Sequence, residues 1–375
     1  MFTNLSLERF KCFAQKQNIP LSQITLLYGL NGRGKSSVIQ SLLLLAQSMR
    51  KNNSVEPLYF IEDLINLGKY ADVLNSDALD NSFSIGLECK TEKDVKDTLS
   101  IEYTAAIDTP FVAKMQNIVI NGQSRSDSLA SLNPKEKESR KVTFSSSDSV
   151  CLQMLKDINY IAANRLGVSN IESRLGANVV ITPKGENVLN VLASASPKLI
   201  KDVEISLNKI LSGATIKIQN EKEDSIEIYM DSVSNSAHPY KPINVGFGYG
   251  YVLPTVVQTL IAPQNSILII ENPESHLHPG AQSRLMEFLI KKSEEKNLQL
   301  IIESHSDHIV NGMRIAIKKG RIQSQSVSIL HFSRDMFSKG APTIEEIRID
   351  RQGNLSSYPD DFMDEWTKQL EQLMM

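Results

Sequence analysis

The chain has 375 residues, room for two average domains or one large domain with an insertion, and 41 % of them are hydrophobic, which excludes wholesale disorder. A formal charge of −3 excludes a global electrostatic pull towards nucleic acid or an anionic membrane. The three cysteines, Cys12, Cys89 and Cys151, are widely spaced. They form neither a disulfide framework nor a zinc-ligand pattern and read as buried thiols of a reducing compartment. The sequence opens without a basic, apolar leader, and its apolar runs fall short of a membrane span, so a cytoplasmic protein without a membrane partner is expected.

Residues 24–28 predict a short buried strand. Residues 36–49 predict a helix, because Val38, Ile39, Leu42, Leu43 and Ala46 recur at helical spacing. Between them, Gly29-Leu30-Asn31-Gly32-Arg33-Gly34-Lys35-Ser36 fits G-x-x-x-x-G-K-[ST] at every fixed position. Composition alone yields this pattern in about one chain of this length in a hundred. The strand before it and the helix after it also meet the stricter test of context. The chemistry requires these residue types. Glycines let backbone N–H groups turn inward around phosphates, and the following helix N-terminus favours an anion. Lys35 can reach the β- and γ-phosphates, and the Ser36 hydroxyl can ligate Mg²⁺. Asn31, Gly32, Arg33, Gly34, Lys35, Ser36 and Ser37 are therefore the candidate nucleotide-binding residues of this loop.

Alternating runs over 82–120 predict antiparallel strands, and the Ser-, Lys- and Glu-rich stretch 124–149 a solvated loop. A helix is predicted over 196–211 and strands over 214–230. The texture then turns α/β: strand 267–270, helix 281–295, strand 298–302, helix 306–319 and strand 327–332. This alternation predicts a mostly parallel sheet covered on both faces. The run Ile267–Ile270 ends on Glu271, an acid placed to hold Mg²⁺ or its water shell. The next strand ends on Glu303-Ser304-His305, where His305 can sense the γ-phosphate or hold the attacking water.

With these pieces in place, the chain resembles the ATP-binding-cassette ATPases of the SMC, RecF and OLD kind, often called AAA family ATPases in bacteria. The resemblance runs through 7–13, the phosphate loop, 67–74, 160–165, a signature-like 246–254, the acid region 271–279 and the switch-histidine stretch 303–308. The ending, 349–353 through 358–362, resembles a short C-terminal domain of unknown function found in one branch. The resemblance implies a P-loop NTPase fold of class α/β, an ABC-type core with a mixed sheet and an inserted α+β and helical subdomain. The expected plan is 1–75 and 241–340 for the core, 76–240 for the insertion and 341–375 for a short C-terminal element. It also implies ATP and Mg²⁺ as cofactors. Two protomers would sandwich two ATPs, with Gly248 and Gly250 of one chain facing the nucleotide of the other.

Three positions depart from the family pattern. The usual catalytic glutamate after the acid is Asn272, which cannot act as a general base, so Glu274 takes that role by expectation. The signature serine is Gly250, and the D-loop aspartate is His278. Slow hydrolysis follows as the expectation, with Glu271, Glu274, His305 and Lys35 as catalytic candidates. The leading function is a homodimeric ATP switch controlling a separate effector, a nuclease or toxin, in bacterial anti-phage defence. The alternatives are a DNA-repair ATPase that binds nucleic acid directly and an ATP-gated scaffold with little hydrolysis. The basic clusters Lys135/Lys137/Arg140/Lys141 and Lys318/Lys319/Arg321 are the candidate nucleic-acid contacts, although neither carries aromatic stacking residues. His238 and His331 read as structural, and metal binding by His276 and His278 is not expected.

Overall fold

In the computed structural model, which describes residues 1–91, 94–124, 148–167, 171–173, 180–213, 215–222, 225–231, 240–241, 244, 246–333 and 342–374, the alternating runs form strands as expected. The chain divides into two compact units, one of Met1–Ile158 with Leu330–Glu346, the other of Asn159–Ile329 with Ile347–Met375.

In the first unit the strands Gln17–Pro20, Phe2–Glu8, Ser82–Lys90, Lys96–Ala105, Val112–Ile120 and Leu58–Tyr59 lie side by side in that order, with Gln123–Ser124 also on Val112–Ile120. Their pairings are antiparallel. Period-two burial is clean along Lys96–Ala105, where Asp97, Leu99, Ile101 and Tyr103 all face inward. An aromatic cluster fills this face: Phe83 meets Phe10 at 5.5 Å and both Tyr70 and Tyr103 at 5.6 Å. The strand Ile24–Gly29 is buried along its whole length, and the helix Lys35–Asn52 follows it. That helix continues past the expected end at Met49 and stops at Asn53, whose φ of 55° is left-handed.

Asp97 sits in an inward row yet is fully satisfied. Its carboxylate accepts from the Ser149 hydroxyl at 2.5 Å, the Cys151 N–H at 3.0 Å and the Asn121 amide at 2.8 Å. The same cluster brings Cys89 and Cys151 together, with the Cys151 thiol donating to the Cys89 sulfur at 3.0 Å. Cys12, also expected to be buried, is half-buried, whereas both of these are buried as expected. Their proximity was hidden, because a strand and the helix Val150–Lys156 carry them 62 positions apart. The bond to Cys89 and burial push the Cys151 thiol far above the usual thiol range, so Cys151 is a poor nucleophile at neutral pH, while the hydrogen bond it donates holds the Cys89 thiol below its ordinary value. Because both thiols are buried, diamide is expected to join Cys89 to Cys151 only slowly, and Cys151→Ser to abolish the link, as read by non-reducing peptide mass mapping. Rapid labelling of both thiols without a link would contradict the packing.

In the second unit the strands Ile171–Ser173, Ser225–Asp231 and Thr215–Lys222 form a three-stranded antiparallel sheet. The strands Ile267–Glu271 and Gln299–Glu303 pair in parallel, with Glu271 opposite Glu303, and Ile158–Ile161 lies beside the former. Parallel pairing requires a crossover, which the helix Pro279–Lys296 provides. The helix Asp307–Lys318 packs on it. Near the end of the chain the turn Asp350–Gly353 docks on that second helix, Arg314 Nε donating to the Gly353 carbonyl at 2.7 Å. The helix Glu365–Met374 buries none of its side chains.

The stretch 125–147, with Lys135, Lys137, Arg140 and Lys141, lies outside the described residues, as does His238. Among the described residues, no helix is long and apolar enough to cross a membrane.

Candidate functional site

The phosphate loop is built by three glycines in the left-handed half of backbone space. Gly29, Gly32 and Gly34 have φ of 130°, 73° and 103°. At Gly29 a side chain is excluded twice over, since a Cβ would also lie 2.3 Å from the Phe332 carbonyl oxygen. Gly29→Ala is therefore expected to cost about 3 kcal/mol, combining backbone strain and overpacking, as measured by the denaturant midpoint. An unchanged midpoint would contradict this turn geometry. Gly34 caps the N-terminus of the helix Lys35–Asn52, whose first turn holds no acidic residue, so its partial positive charge is not offset there. Asn31, Gly32 and Ser36 are exposed and Arg33 is half-buried, while Lys35 and Ser37 are buried. Lys35 reaches back across the loop, and its ammonium donates to the Gly29 and Leu30 carbonyls at 2.8 Å each. The residues fit an anion with several phosphates: a positive helix end, an exposed glycine turn and a lysine already curled over it.

The acid strand lies in the second unit. Glu271 Oε2 accepts from the Tyr160 hydroxyl at 2.9 Å and from the Ala163 N–H at 3.1 Å. Its other oxygen, Oε1, takes no donor among the described residues. A carboxylate oxygen left open in this way suits a hard divalent cation such as Mg²⁺. Burial first, and then Glu271, pushes the Tyr160 phenol well above its ordinary value, so it stays a donor throughout the neutral range.

Asn272 has φ of 43°, a region that asparagine tolerates better than glutamate. Asparagine at this position thus has a backbone reason. Its N–H donates to the Glu303 carbonyl at 2.8 Å. Glu274 is placed by the next strand, its Oε1 accepting from the His305 N–H at 3.1 Å. Its Oε2 is buried without a hydrogen-bond partner among the described residues. The structure thus brings Glu271, Glu274 and His305 to one end of two neighbouring parallel strands.

The signature-like stretch begins the helix Phe247–Ile261. Gly248 is required by close approach, because a Cβ there would lie 2.6 Å from the His276 carbonyl oxygen. Gly250 is buried, and Pro254, four residues on, removes the N–H that would meet its carbonyl. Tyr251 packs its ring on His276, with centroids 4.4 Å apart. His278 caps the helix Pro279–Lys296, its Nδ1 accepting from the Gly280 N–H at 3.3 Å. A cavity of about 460 Å³ opens beside Gly246, Gly248, His276, His278 and Arg284. In the remaining basic cluster, Lys319 and Arg321 share one acid, Glu287, and Lys318 is exposed beside them.

Sequence reasoning singled out 160–165 as a recurring element but gave it no role. Arg165, 2 % exposed, donates from Nη1 to the Ala162 and Glu271 carbonyls at 2.8 Å each and from Nη2 to the Asn272 carbonyl at 2.7 Å. Burial pushes its pKa down to about 10, which leaves it charged at neutral pH. The available signal was a lone arginine in an otherwise apolar stretch beside a predicted buried sheet.

Residues 192–311 match the family described as "AAA domain, putative AbiEii toxin, Type IV TA system". Residues 322–373 match a family described as a protein of unknown function, DUF3696. No curated protein matches the sequence significantly. Among solved structures, an SMC head bound to the C-terminal winged-helix domain of ScpA is similar at a TM-score of 0.54 and 16 % identity, over 93 % of this chain and 98 % of that one. The Smc head domain with an extended coiled coil, bound to the C-terminal domain of ScpA derived from Pyrococcus furiosus, is similar at 0.53 and 14 %, over 100 % and 99 %. At such identities the likeness shows the fold, a mixed α/β SMC-head fold consistent with the phosphate loop and the parallel strands. The chain therefore has an SMC-head fold, with residues 192–311 similar to that AAA domain family and residues 322–373 similar to the family of unknown function.

Proposed function

We propose that this chain binds ATP with Mg²⁺, hydrolyses it slowly and acts as a homodimeric nucleotide switch on a separate effector protein. The observation that carries this reading is the phosphate loop: three left-handed glycines, a buried Lys35 and a helix start free of acidic residues. In this reading residues 1–75 and 241–340 supply the ATPase core, 76–240 the insertion and 341–375 the C-terminal element.

Asn31 to Ser37 would wrap the phosphates, and Lys35 would exchange the loop carbonyls for phosphate oxygens. The Ser36 hydroxyl and Glu271 Oε1 are hard oxygen donors of the kind Mg²⁺ prefers, and would hold it. The bound cation would neutralise charge on the transferred phosphate. Glu274 Oε2, buried and unpartnered, is the atom to take the proton of the attacking water, and the His305 N–H keeps that carboxylate in place. Gly248 and Gly250, with the cavity beside them, would face the nucleotide of the second protomer.

A nuclease or toxin as effector, and an anti-phage setting, draw support from the family described with the AbiEii toxin. Both SMC heads described above were solved with a ScpA domain bound, which supports a protein partner here. A second reading, an ATP-gated scaffold with little turnover, is favoured by Asn272 where a base is usual. Phosphate release, together with molar mass by light scattering, separates these readings. Slow turnover with nucleotide-dependent dimers is expected. Tight binding without turnover would favour the scaffold, and stimulation by DNA would move the reading to DNA repair.

A further inference from the structure

Arg165 presents a physical problem. A guanidinium at 2 % exposure faces three main-chain carbonyls, and its Nε has no hydrogen-bond partner among the described residues. Removing a charge from water costs several kcal/mol, and an apolar side chain of similar size commonly gives equal or greater stability. Stability is therefore a weak reason for an arginine here. What it does uniquely is geometric. One planar fork spans the carbonyls of Glu271 and Asn272, which a lysine, with a single point of charge, cannot reproduce.

Tyr160 acts on the same acid from the side-chain end. Its hydroxyl and the Ala163 N–H both take Oε2 of Glu271 and leave Oε1 without a donor among the described residues. The segment that carries these groups is itself anchored, since the Gln258 amide donates to Asn159 Oδ1 at 3.0 Å. Residues 160–165 thus fix the acid at its backbone and at one of its two oxygens. The Tyr251 ring packs on His276, and the Arg165 guanidinium lies 6.0 Å from the Tyr251 ring.

We propose that Tyr160 and Arg165 are positioning residues for a cation-binding acid. Tyr160 fixes which oxygen of Glu271 is presented to a nucleotide-bound divalent cation, and Arg165 fixes the main chain from which Glu271, Asn272 and Glu274 project. The proposal rests on the nucleotide-binding reading above and goes beyond it by assigning roles to residues 160–165.

The test is Mn²⁺ binding followed by electron paramagnetic resonance, in the presence of a non-hydrolysable ATP analogue. The proteins compared are wild type, Tyr160→Phe, Arg165→Lys and Glu271→Gln, each also melted to check folding. Loss of an outer-shell partner commonly weakens a metal site about ten- to a hundred-fold. Tyr160→Phe and Arg165→Lys are expected to weaken Mn²⁺ by that factor, with analogue binding in EDTA unchanged. A merely structural role would lower the melting temperature and leave Mn²⁺ affinity as in wild type, which would overturn the proposal. The two readings fail in different ways. If wild type shows no nucleotide-dependent Mn²⁺ binding, the nucleotide reading falls and takes this one with it. If wild type binds, Glu271→Gln weakens the site and both other variants match wild type, the positioning proposal alone falls. If Glu271→Gln binds as wild type does, Glu271 is not the ligand, and the proposal is overturned on that ground.

Discussion

Lys35→Ala is expected to abolish useful ATP affinity. The ammonium is buried and makes two 2.8 Å bonds to the Gly29 and Leu30 carbonyls, so the loop is shaped around it. Losing one partner of a buried charged hydrogen bond costs about 2–5 kcal/mol, which corresponds to a dissociation constant raised roughly 30-fold to several thousand-fold. Two effects act together: the phosphates lose their cation, and the two loop carbonyls lose the donor that gathers them. Some stability should go as well, about 1–3 kcal/mol for the unsatisfied acceptors. Calorimetric titration with ATP checks the first effect and thermal melting the second. An unchanged dissociation constant would mean that the loop does not hold the triphosphate.

Glu274→Gln is expected to leave ATP binding intact and to slow hydrolysis about 10²- to 10⁴-fold, the range a positioned base contributes. The substitution is nearly isosteric and keeps an oxygen for the His305 N–H, so the bond that orients residue 274 survives. What it removes is the proton acceptor at Oε2. With hydrolysis blocked, the nucleotide-bound dimer should accumulate and the molar mass in ATP should double. Turnover equal to wild type would place the base elsewhere, and loss of ATP binding would mean that Glu274 has a different role.

Where the chemistry is local in sequence, it could be read from sequence. The phosphate loop follows a buried strand and opens a helix, and each of those elements has its own periodic signature. The acid at the end of Ile267–Glu271 was legible for the same reason, because a four-residue apolar run marks a buried strand and the carboxylate that closes it marks where the strand meets a polar site. What escaped were the contacts that join distant segments. Tyr160 and Glu271 are separated by 111 positions, Cys89 and Cys151 by 62, and neither pairing leaves a periodic trace. Backbone conformation was hidden too. Asn272 read as a lost base, whereas its φ of 43° shows a turn that a glutamate would occupy under strain. Gly248 read as a signature glycine, and the 2.6 Å approach to His276 adds a packing reason that holds whatever the site does.

The most direct test of the central claim is phosphate release from MgATP by purified wild-type protein, measured beside Lys35→Ala. The account predicts turnover well below the roughly ten per second typical of ordinary enzymes, and its disappearance in Lys35→Ala. Turnover of tens per second would contradict the slow-switch reading, and a rate identical in the two proteins would contradict the assignment of the phosphate loop itself.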